Sequence, residues 1–339
     1  MTTERERWLA MTLEDALEPD LPICDPHHHL WARPNDRYLL EEILKDTGGG
    51  HHIVQTVFVQ CGSMYRTKGP EEMRPIGETE FVQGIAAQSA SGQYGATEIA
   101  TGIVGFADLR LGAAVTPVLE AHRAASKDRF RGVRHISAWD ASPVMRRHDV
   151  ASKGLLLDST FRKGFARLQE FGMSFDAWLY FPQLDELADL VKAFPDMRII
   201  INHVGGPLGI GPYAGRHEEV FQTWKRSMAR LAGYPNVVVK VGGFGMPACG
   251  FGWHERAKPP TSAELAKAIA PYCLFCIETF GVERCMFESN FPVDKVSYSY
   301  TVVWNAFKRI TKEFSLKERA ALFQGTAARI YRLDTDDVR

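Results

Sequence analysis

Apolar residues in this chain occur in short runs that alternate with longer amphipathic segments. The run Ile199-Ile200-Ile201 lies in a nearly continuous apolar stretch, as is typical of a strand covered on both faces. Runs of this kind predict strands at about residues 22–29, 53–60, 97–106, 130–136, 173–180, 197–203, 237–241 and 283–290. The intervening segments predict helices at about 79–90, 117–125, 159–171, 182–194, 217–232, 262–280, 299–313 and 316–331.

The alternation of strands and helices indicates the fold class. Strands separated by helices form βαβ units with a parallel sheet, and eight such units favour a closed barrel over an open sheet. No G-x-G-x-x-G follows the first strand, which argues against a dinucleotide-binding fold. We therefore predict an α/β protein, a single (β/α)8 TIM barrel over residues 21–333, with a lead-in at 1–20 and a tail at 334–339. Lid-like loops are expected at 63–75, 138–158, 205–216 and 242–260.

Charge and composition narrow the classes of partner. The formal net charge is −1, from 40 basic and 41 acidic residues, so nothing draws the chain to nucleic acid or to anionic lipid. It has no apolar run long enough for a membrane span and does not begin like a signal peptide. Six scattered cysteines are read as reduced thiols of a cytoplasmic protein. We expect a small-molecule substrate, no nucleic acid and no membrane, and leave open whether the chain forms a homo-oligomer.

The strongest chemical signal lies at the end of the first predicted strand, Cys24-Asp25-Pro26-His27-His28-His29. In a regular strand, Asp25, His27 and His29 share one face. The other face carries Cys24, Pro26 and His28. Two imidazoles at i and i+2 can bind one metal ion or act together on one substrate oxygen. Histidines that are merely hydrogen-bonded in the core are the alternative.

Further polar residues fall at the carboxyl ends of other predicted strands, where the active site of a barrel lies. These candidates are Gln60, Arg134, Trp178, Tyr180, His203, Lys240, Glu288 and Asn290, with Asp294 just beyond. Arg134 is predicted to hold a substrate carboxylate, because its planar guanidinium can donate two hydrogen bonds. Lys240 is either a second such cation or a barrel lysine paired with a buried acid. Trp139, Trp178 and Tyr180 are expected to form an apolar wall, with Gln60 as a further substrate contact.

Three short motifs resemble the amidohydrolase superfamily. They are His27-x-His29 after the first strand, Asn202-His203 after the sixth, and Phe287-Glu288-Ser289-Asn290-Phe291-Pro292-Val293 after the eighth. They are most similar to the amidohydrolase-related branch, which includes sugar lactonases and 2-pyrone-4,6-dicarboxylate hydrolase-like enzymes, over about residues 20–333. The resemblance implies that His27, His29 and His203 form the core of the site. They would bind one divalent ion, zinc or manganese, or polarise the substrate carbonyl without a metal.

The chain departs from the pattern of that branch in the eighth-strand motif, where an aspartate usually acts as general base. Asn290 occupies this position, and an amide cannot accept a proton at neutral pH. Asn290 is expected to hydrogen-bond a water or the substrate. Asp294 is the predicted base, with Glu288 as the other nearby carboxylate. An ion pair with Lys295 or a helix cap is the alternative for Asp294.

These features predict a hydrolase that opens a lactone or related cyclic ester of a carboxylated or sugar-derived small molecule, using activated water. A metal-dependent decarboxylase of an aromatic or unsaturated acid is the first alternative, favoured by the missing aspartate. A non-catalytic, ligand-binding barrel is the second. Release of carbon dioxide would identify the decarboxylase, and stabilisation by a ligand without turnover would identify the binding protein.

Overall fold

Eight parallel strands form the centre of the fold, in a computed structural model that describes residues 3–145 and 151–333. Their order in the sheet is their order along the chain, and each hydrogen-bonded pair of neighbours is parallel. The strands are β1 (Ile23–His28), β2 (Ile53–Val59), β3 (Glu98–Gly105), β4 (Phe130–Ile136), β5 (Ser174–Trp178), β6 (Ile199–Ile201), β7 (Val237–Val241) and β8 (Cys285–Phe287).

The sheet closes on itself between the segment after β8 and the end of β1. The backbone N–H of Asn290 donates to the carbonyl of His27 at 3.0 Å, and that of His29 donates to the carbonyl of Phe291 at 2.8 Å. The result is a nearly closed barrel surrounded by helices, which confirms the predicted (β/α)8 TIM barrel of the α/β class. The seam therefore lies at the residues that carry the chemical signal in the sequence.

The helices follow the predicted alternation, and several of them begin at a side-chain cap. Within the described residues they are α1 (Glu4–Leu9), α2 (Leu40–Thr47), α3 (Ile76–Ser89), α4 (Thr116–Ala125), α5 (Ser159–Glu170), α6 (Leu184–Ala193), α7 (His217–Ala232), α8 (Ser262–Phe280), α9 (Tyr300–Ile310), α10 (Leu316–Ala320) and α11 (Thr326–Tyr331). The long helix α8 begins at a capping box, in which Thr261 and Glu264 each accept the other's backbone N–H, and ends at Gly281.

Two local features differ from the predicted pattern. The segment after β1 forms a short antiparallel hairpin, Trp31–Arg33 with Asp36–Tyr38, followed by α2, where no element was predicted. The single helix predicted at 316–331 is divided into α10 and α11 by a π-helical segment, Ala321–Gly325. Both features are too short for hydrophobic periodicity to reveal.

An apolar layer inside the barrel separates its two ends. Side chains of the strands pack there against α11, whose Tyr331 is fully buried. The strand residues of this layer are Cys24, Val57, Val59, Val104, Ile200, Val238 and Met286. Because they fill the interior below the histidines, the open space of the barrel lies at the carboxyl ends of the strands.

The predicted faces of β1 are wrong for Cys24 and Asp25. Cys24 belongs to the interior layer, and Asp25 instead accepts hydrogen bonds from Ser289 Oγ at 2.6 Å and Tyr300 Oη at 2.9 Å. The pairing of β1 with β2 is irregular between Asp25 and His28, so strict alternation does not hold across this segment. His28 lies on the outer side, within 2.9 Å of Thr56 Oγ1.

The lead-in packs against the barrel through α9. Lys308 Nζ donates to the carbonyls of Leu17 and Glu18, each at 2.7 Å. The division at residues 20 and 21 stays a prediction, and the predicted tail at 334–339 lies outside the described residues. In the described part of the chain, no helix has both the length and the apolarity needed to cross a membrane.

Candidate active site

A cavity of about 500 Å³ opens at the carboxyl ends of the strands. Seven of the residues predicted to form the site line it: His29, Gln60, Arg134, Trp178, Tyr180, His203 and Asn290. Four predicted residues do not line it: His27, Trp139, Lys240 and Asp294. His27, Lys240 and Asp294 are fully buried behind the wall.

His203, on the cavity wall, is paired with the buried carboxyl group of Glu288. His203 Nδ1 lies 2.7 Å from Glu288 Oε1, and the backbone N–H of His203 donates to the same oxygen at 3.0 Å. Because Oε1 already accepts the backbone N–H, we assign the ring proton to Nδ1. The lone pair of His203 is then on Nε2, and Trp178 packs edge-on against the ring at a centroid distance of 4.6 Å.

The backbone makes room for this pair in two ways. His203 adopts a left-handed conformation with φ of 51°, which is uncommon for a residue other than glycine and is found most often at functional sites. Gly243, after β7, also has a positive φ, and a Cβ there would lie 2.5 Å from the ring of His203. A side chain at this position would displace the imidazole from Glu288.

His27 lies between the carboxylate of Glu288 and two buried cations. Its Nδ1 is 2.6 Å from Glu288 Oε2 and 3.5 Å from Lys240 Nζ, and Arg134 Nη1 is 3.3 Å from its Nε2. Burial, and after it the charge of Lys240, lowers the pKa of His27 well below its usual value. The ring is therefore neutral and can serve as a ligand or an acceptor.

His29 is held at the cavity by a backbone carbonyl. Its Nδ1 lies 2.7 Å from the carbonyl oxygen of Val59, so Nδ1 carries the proton and Nε2 is an acceptor. Burial lowers the pKa of both His29 and His203 well below the usual value, with the charge of Arg134 adding to the effect. All three histidines of the cluster are thus neutral near pH 7.

The arrangement of donors fits a divalent metal ion. His27, His203 and Glu288 each present one ligand atom, and these atoms lie within 4.8 Å of one another. Glu288 Oε2 is buried, and despite its short contact with His27 it has no hydrogen-bond partner among the described residues. Two imidazoles and one carboxylate are a ligand set that catalytic zinc sites use. This group shares His27 and His203 with the predicted ligand set; it includes Glu288 and does not include His29.

Glu288 was considered in the sequence only as a nearby carboxylate. Its position two residues before Asn290, on the same face and deeper in the barrel, is the signal that could have identified it as the partner of the histidines. Burial raises the pKa of Glu288 to about 8, against the lowering effect of Lys240. A second signal is Gly242, where a Cβ would lie 2.5 Å from Cγ of Glu288.

Arg134 is fixed at the wall by two acceptors. Its Nη2 donates to the carbonyl of Gln60, and Nη1 lies within hydrogen-bond distance of His27. Its Nε is buried and has no hydrogen-bond partner among the described residues. The loop that bears Gln60 is in turn held by Glu78 of α3, whose Oε1 accepts the N–H groups of Cys61 and Ser63 at 3.0 and 2.7 Å.

Asn290 presents an oxygen rather than an amino group. Its Nδ2 donates to Asp294 Oδ1 at 2.7 Å, while its Oδ1 is buried and without a hydrogen-bond partner in the described part of the chain. Asp294 Oδ2 accepts Tyr298 Oη at 2.6 Å and the backbone N–H of Gly245 at 2.8 Å. With its oxygens so engaged, Asp294 lies behind Asn290 and supports it. The ion pair with Lys295 considered from the sequence is also replaced, since Lys295 pairs with Asp46.

Lys240 forms the buried ion pair that the sequence left as an alternative. Its Nζ lies 2.8 Å from Asp176 Oδ1, and both side chains are fully buried. The same oxygen accepts Asn202 Nδ2 at 2.9 Å and Tyr331 Oη at 2.8 Å. This network is below the cavity, so Lys240 is not placed to contact a substrate.

The residues that form the wall of the cavity differ in part from those predicted. Trp178 and Tyr180 lie in it as expected, whereas Trp139 lies outside it, with its backbone N–H donating to Gln183 at 2.9 Å. The hairpin after β1 contributes Trp31 and Arg33, which the sequence did not single out. These two residues reach the cavity wall through a hairpin that the hydrophobic periodicity does not predict.

The chain is similar in sequence to two known proteins over most of its length. A protein of Sinorhizobium fredii, "Uncharacterized protein y4mH", is 34% identical over 93% of this chain and 99% of its own. The L-fucono-1,5-lactonase of Burkholderia ambifaria is 24% identical over 91% of this chain and 95% of its own.

Among solved structures, an amidohydrolase of Burkholderia multivorans crystallised with bound zinc superposes with a TM-score of 0.71. It is 23% identical, and the match covers 92% of this chain and 99% of that one. The sequence model of the family described as "Amidohydrolase" matches residues 24–333. That match spans most of the chain, and the protein therefore belongs to this amidohydrolase family.

Proposed function

We propose that the protein is a lactonase, which hydrolyses the cyclic ester of a small carboxylated or sugar-derived molecule. The observation that carries the proposal is the contact between His203 Nδ1 and Glu288 Oε1 at 2.7 Å, on a wall that also holds His29 and Arg134. A neutral imidazole oriented by a carboxylate is a general base, and the adjacent guanidinium is a donor for a developing oxyanion. The similarity to sugar lactonases supports the same reaction class.

His203 is the proposed general base. With its pKa raised to about 8, Glu288 is ionised above that pH, and its carboxylate then holds the Nδ1 proton, so that the Nε2 lone pair remains to take a proton from water. Glu288 also stabilises the imidazolium that forms, as the acidic residue does in other histidine-carboxylate pairs. Asp294, the base predicted from the sequence, has both of its oxygens engaged and does not line the cavity.

Two acceptors orient the attacking water. Asn290 Oδ1 is buried without a hydrogen-bond partner among the described residues, and His29 Nε2 retains its lone pair because Nδ1 faces Val59. Neither group needs to take the proton, so an amide at position 290 is compatible with hydrolysis. The acceptor role of Asn290 also agrees with the donation of its Nδ2 to Asp294.

The proposed reaction has two steps, attack of water on the lactone and opening of the ring. Water forms a bond to the lactone carbonyl carbon and gives one proton to His203 Nε2. Arg134 stabilises the oxyanion through its Nε–H, which lacks a partner among the described residues. When the tetrahedral species collapses, the ring C–O bond breaks and the leaving oxygen takes the proton back from His203. The product is an open-chain hydroxy acid.

A metal ion bound by the same residues would be an alternative to base catalysis by His203, because coordination uses the lone pair of its imidazole. His27, His203 and Glu288 would hold it, and a bound zinc or manganese ion would supply Lewis-acid polarisation of the ester carbonyl. The positions of Asn290 and Arg134 on the wall serve substrate binding in either case.

The proposal is tested by measuring proton release at constant pH from a panel of 1,4- and 1,5-lactones, with spontaneous hydrolysis subtracted. The variant His203→Gln is expected to lower kcat by about 100-fold or more, since a positioned base contributes that much. His52→Gln, which changes an exposed histidine, is the matched control and should leave kcat unchanged. Wild-type kcat in His203→Gln would exclude His203 as the base, and no turnover of any lactone would exclude the lactonase.

Decarboxylation of an aromatic or unsaturated acid is the second candidate. It is favoured by Asn290, since loss of carbon dioxide needs no carboxylate to activate water, and by the His-His-Glu group, which could hold the required metal. Carbon dioxide release from aromatic acids, measured beside the lactone panel on metal-supplemented protein, decides between the two. Release without any lactone turnover would replace the first proposal with this one.

A further inference from the structure

The charge of the cavity wall is strongly one-sided. Two guanidinium groups, those of Arg33 and Arg134, belong to the described residues that line the cavity, and none of those lining residues carries a carboxylate. Glu288 and Asp294 are buried behind the wall. A cavity lined by cations alone attracts an anionic ligand and repels a cationic one.

The two arginines are not equally available. Arg134 donates to the carbonyl of Gln60 and faces His27, so most of its fork is engaged within the protein. Arg33 is exposed, and its side chain forms no hydrogen bond or ion pair with any described residue. The predicted carboxylate-binding role of Arg134 is therefore better suited to Arg33.

Arg33 is nevertheless held in place at the mouth. Its guanidinium carbon lies 4.1 Å from the ring centroid of Trp31, a cation–π distance, and Trp31 is only 5% exposed. The indole in turn stacks towards His29, with centroids 6.1 Å apart and planes inclined by 21°. Arg33, Trp31 and His29 therefore line the same cavity as neighbours, with the indole in contact with both.

We propose that Arg33 determines specificity by binding a carboxylate that the substrate carries away from the ester. The substrate is then an acidic lactone, whose ester lies at His203 and whose carboxylate pairs with Arg33 across Trp31. The inference rests on the proposed lactonase function and names its substrate class. A guanidinium held over an aromatic ring keeps its N–H groups directed at the edge, where a carboxylate can accept two of them.

The test uses two lactones that differ at one carbon. D-Glucaro-1,4-lactone carries a carboxylate where D-glucono-1,4-lactone carries a hydroxymethyl group. We expect the wild-type protein to prefer the acidic lactone in kcat/KM, and Arg33→Met to lower kcat/KM for it about tenfold or more, mainly through KM. The effect of Arg33→Met on kcat/KM for the neutral lactone should be much smaller. In the wild-type protein alone, the KM of the acidic lactone should rise with salt.

Arg37 provides a matched control on the other strand of the same hairpin. It pairs with Glu41 at 2.8 Å and does not line the cavity, so Arg37→Met should leave both lactones unchanged. Equal kcat/KM for the two lactones, or an equal effect of both variants, would overturn the role of Arg33 while leaving the lactonase intact.

A binding measurement tests the carboxylate site at Arg33 without requiring that the protein hydrolyse a lactone. D-Glucarate and D-gluconate differ at the same carbon as the lactones, and neither needs to be turned over. We expect glucarate to raise the Tm of the wild-type protein more than gluconate does, and Arg33→Met to remove the difference. If neither lactone is hydrolysed, the lactonase proposal fails for sugar lactones. Equal stabilisation by the two acids would then reject Arg33 as a carboxylate site as well.

Discussion

Asn290 Nδ2 donates to Asp294 Oδ1 at 2.7 Å, and this single contact sets which atom of the amide can meet a substrate. Both side chains are buried, and Asp294 accepts further hydrogen bonds from Tyr298 and Gly245. Where the resemblance led to a carboxylate at 290 as the base, the chain has an amide whose oxygen is left as an acceptor. The acid is displaced to a supporting position behind it.

Exchanging the two residues tests this relationship. Asn290→Asp alone places two buried carboxylates in contact, and we expect it to lower the free energy of unfolding by about 2–4 kcal/mol near pH 8. The double variant Asn290→Asp with Asp294→Asn should recover most of that loss. In the exchanged pair the amide at 294 donates to the acid at 290, and its oxygen still accepts Tyr298 and Gly245. Urea unfolding of all three proteins measures the effect, and no recovery in the double variant would contradict it.

The carboxyl of Glu78 makes stability depend on pH. It is 1% exposed, and burial raises its pKa from an ordinary value of 4.5 to about 7. Because the folded pKa is the higher one, the folded state binds more protons between pH 4.5 and 7. Its contribution to stability is therefore complete below about 4.5 and is lost as the pH rises through about 7.

Glu78→Gln is the variant that isolates this effect. It keeps an acceptor for the N–H groups of Cys61 and Ser63 but cannot titrate. Relative to Glu78→Gln, the wild-type protein should lose on the order of 3 kcal/mol between pH 4.5 and 7.5. Urea unfolding at several pH values checks this, and parallel pH profiles for the two proteins would show that Glu78 does not titrate in this range.

The capacity of His27, His203 and Glu288 to bind a metal ion can be tested without measuring turnover. Protein dialysed against zinc should retain about one ion per chain by plasma mass spectrometry. Glu288→Gln should lose most of it, because one of the three ligands at the site becomes an amide. His52→Gln serves again as the control. Metal at background in the wild-type protein, even after dialysis against zinc, would limit the site to acid–base chemistry.

The buried ion pair of Lys240 and Asp176 should be costly to break on one side only. Lys240→Met leaves a carboxylate buried without its cation, and we expect the free energy of unfolding to fall by about 3–5 kcal/mol. Lys240→Met combined with Asp176→Asn removes both charges and should recover a large part of that loss. A double variant as unstable as the single one would indicate that the pair is needed for more than mutual neutralisation.

Hydrophobic pattern was enough to predict the barrel, since eight strands with helices between them have few other ways to bury both faces. The same pattern was also enough to place the candidate site residues at one end of the barrel. His27, His29, Arg134 and His203 were named because their positions at strand ends place them there. Local periodicity determines these features, because it depends only on residues close together in the chain.

The sequence by itself therefore determined the architecture and which polar residues lie at the carboxyl ends of the strands. Only the tertiary structure decided their partners: Glu288 with His203, Asp176 with Lys240, Asp294 behind Asn290, and Arg33 at the mouth. The irregular register of β1, the closure of the barrel at Asn290 and the short hairpin bring these groups together. The pairing of Glu288 with His203 joins residues 85 positions apart, so it depends on the relative placement of whole strands, which no short-range pattern contains.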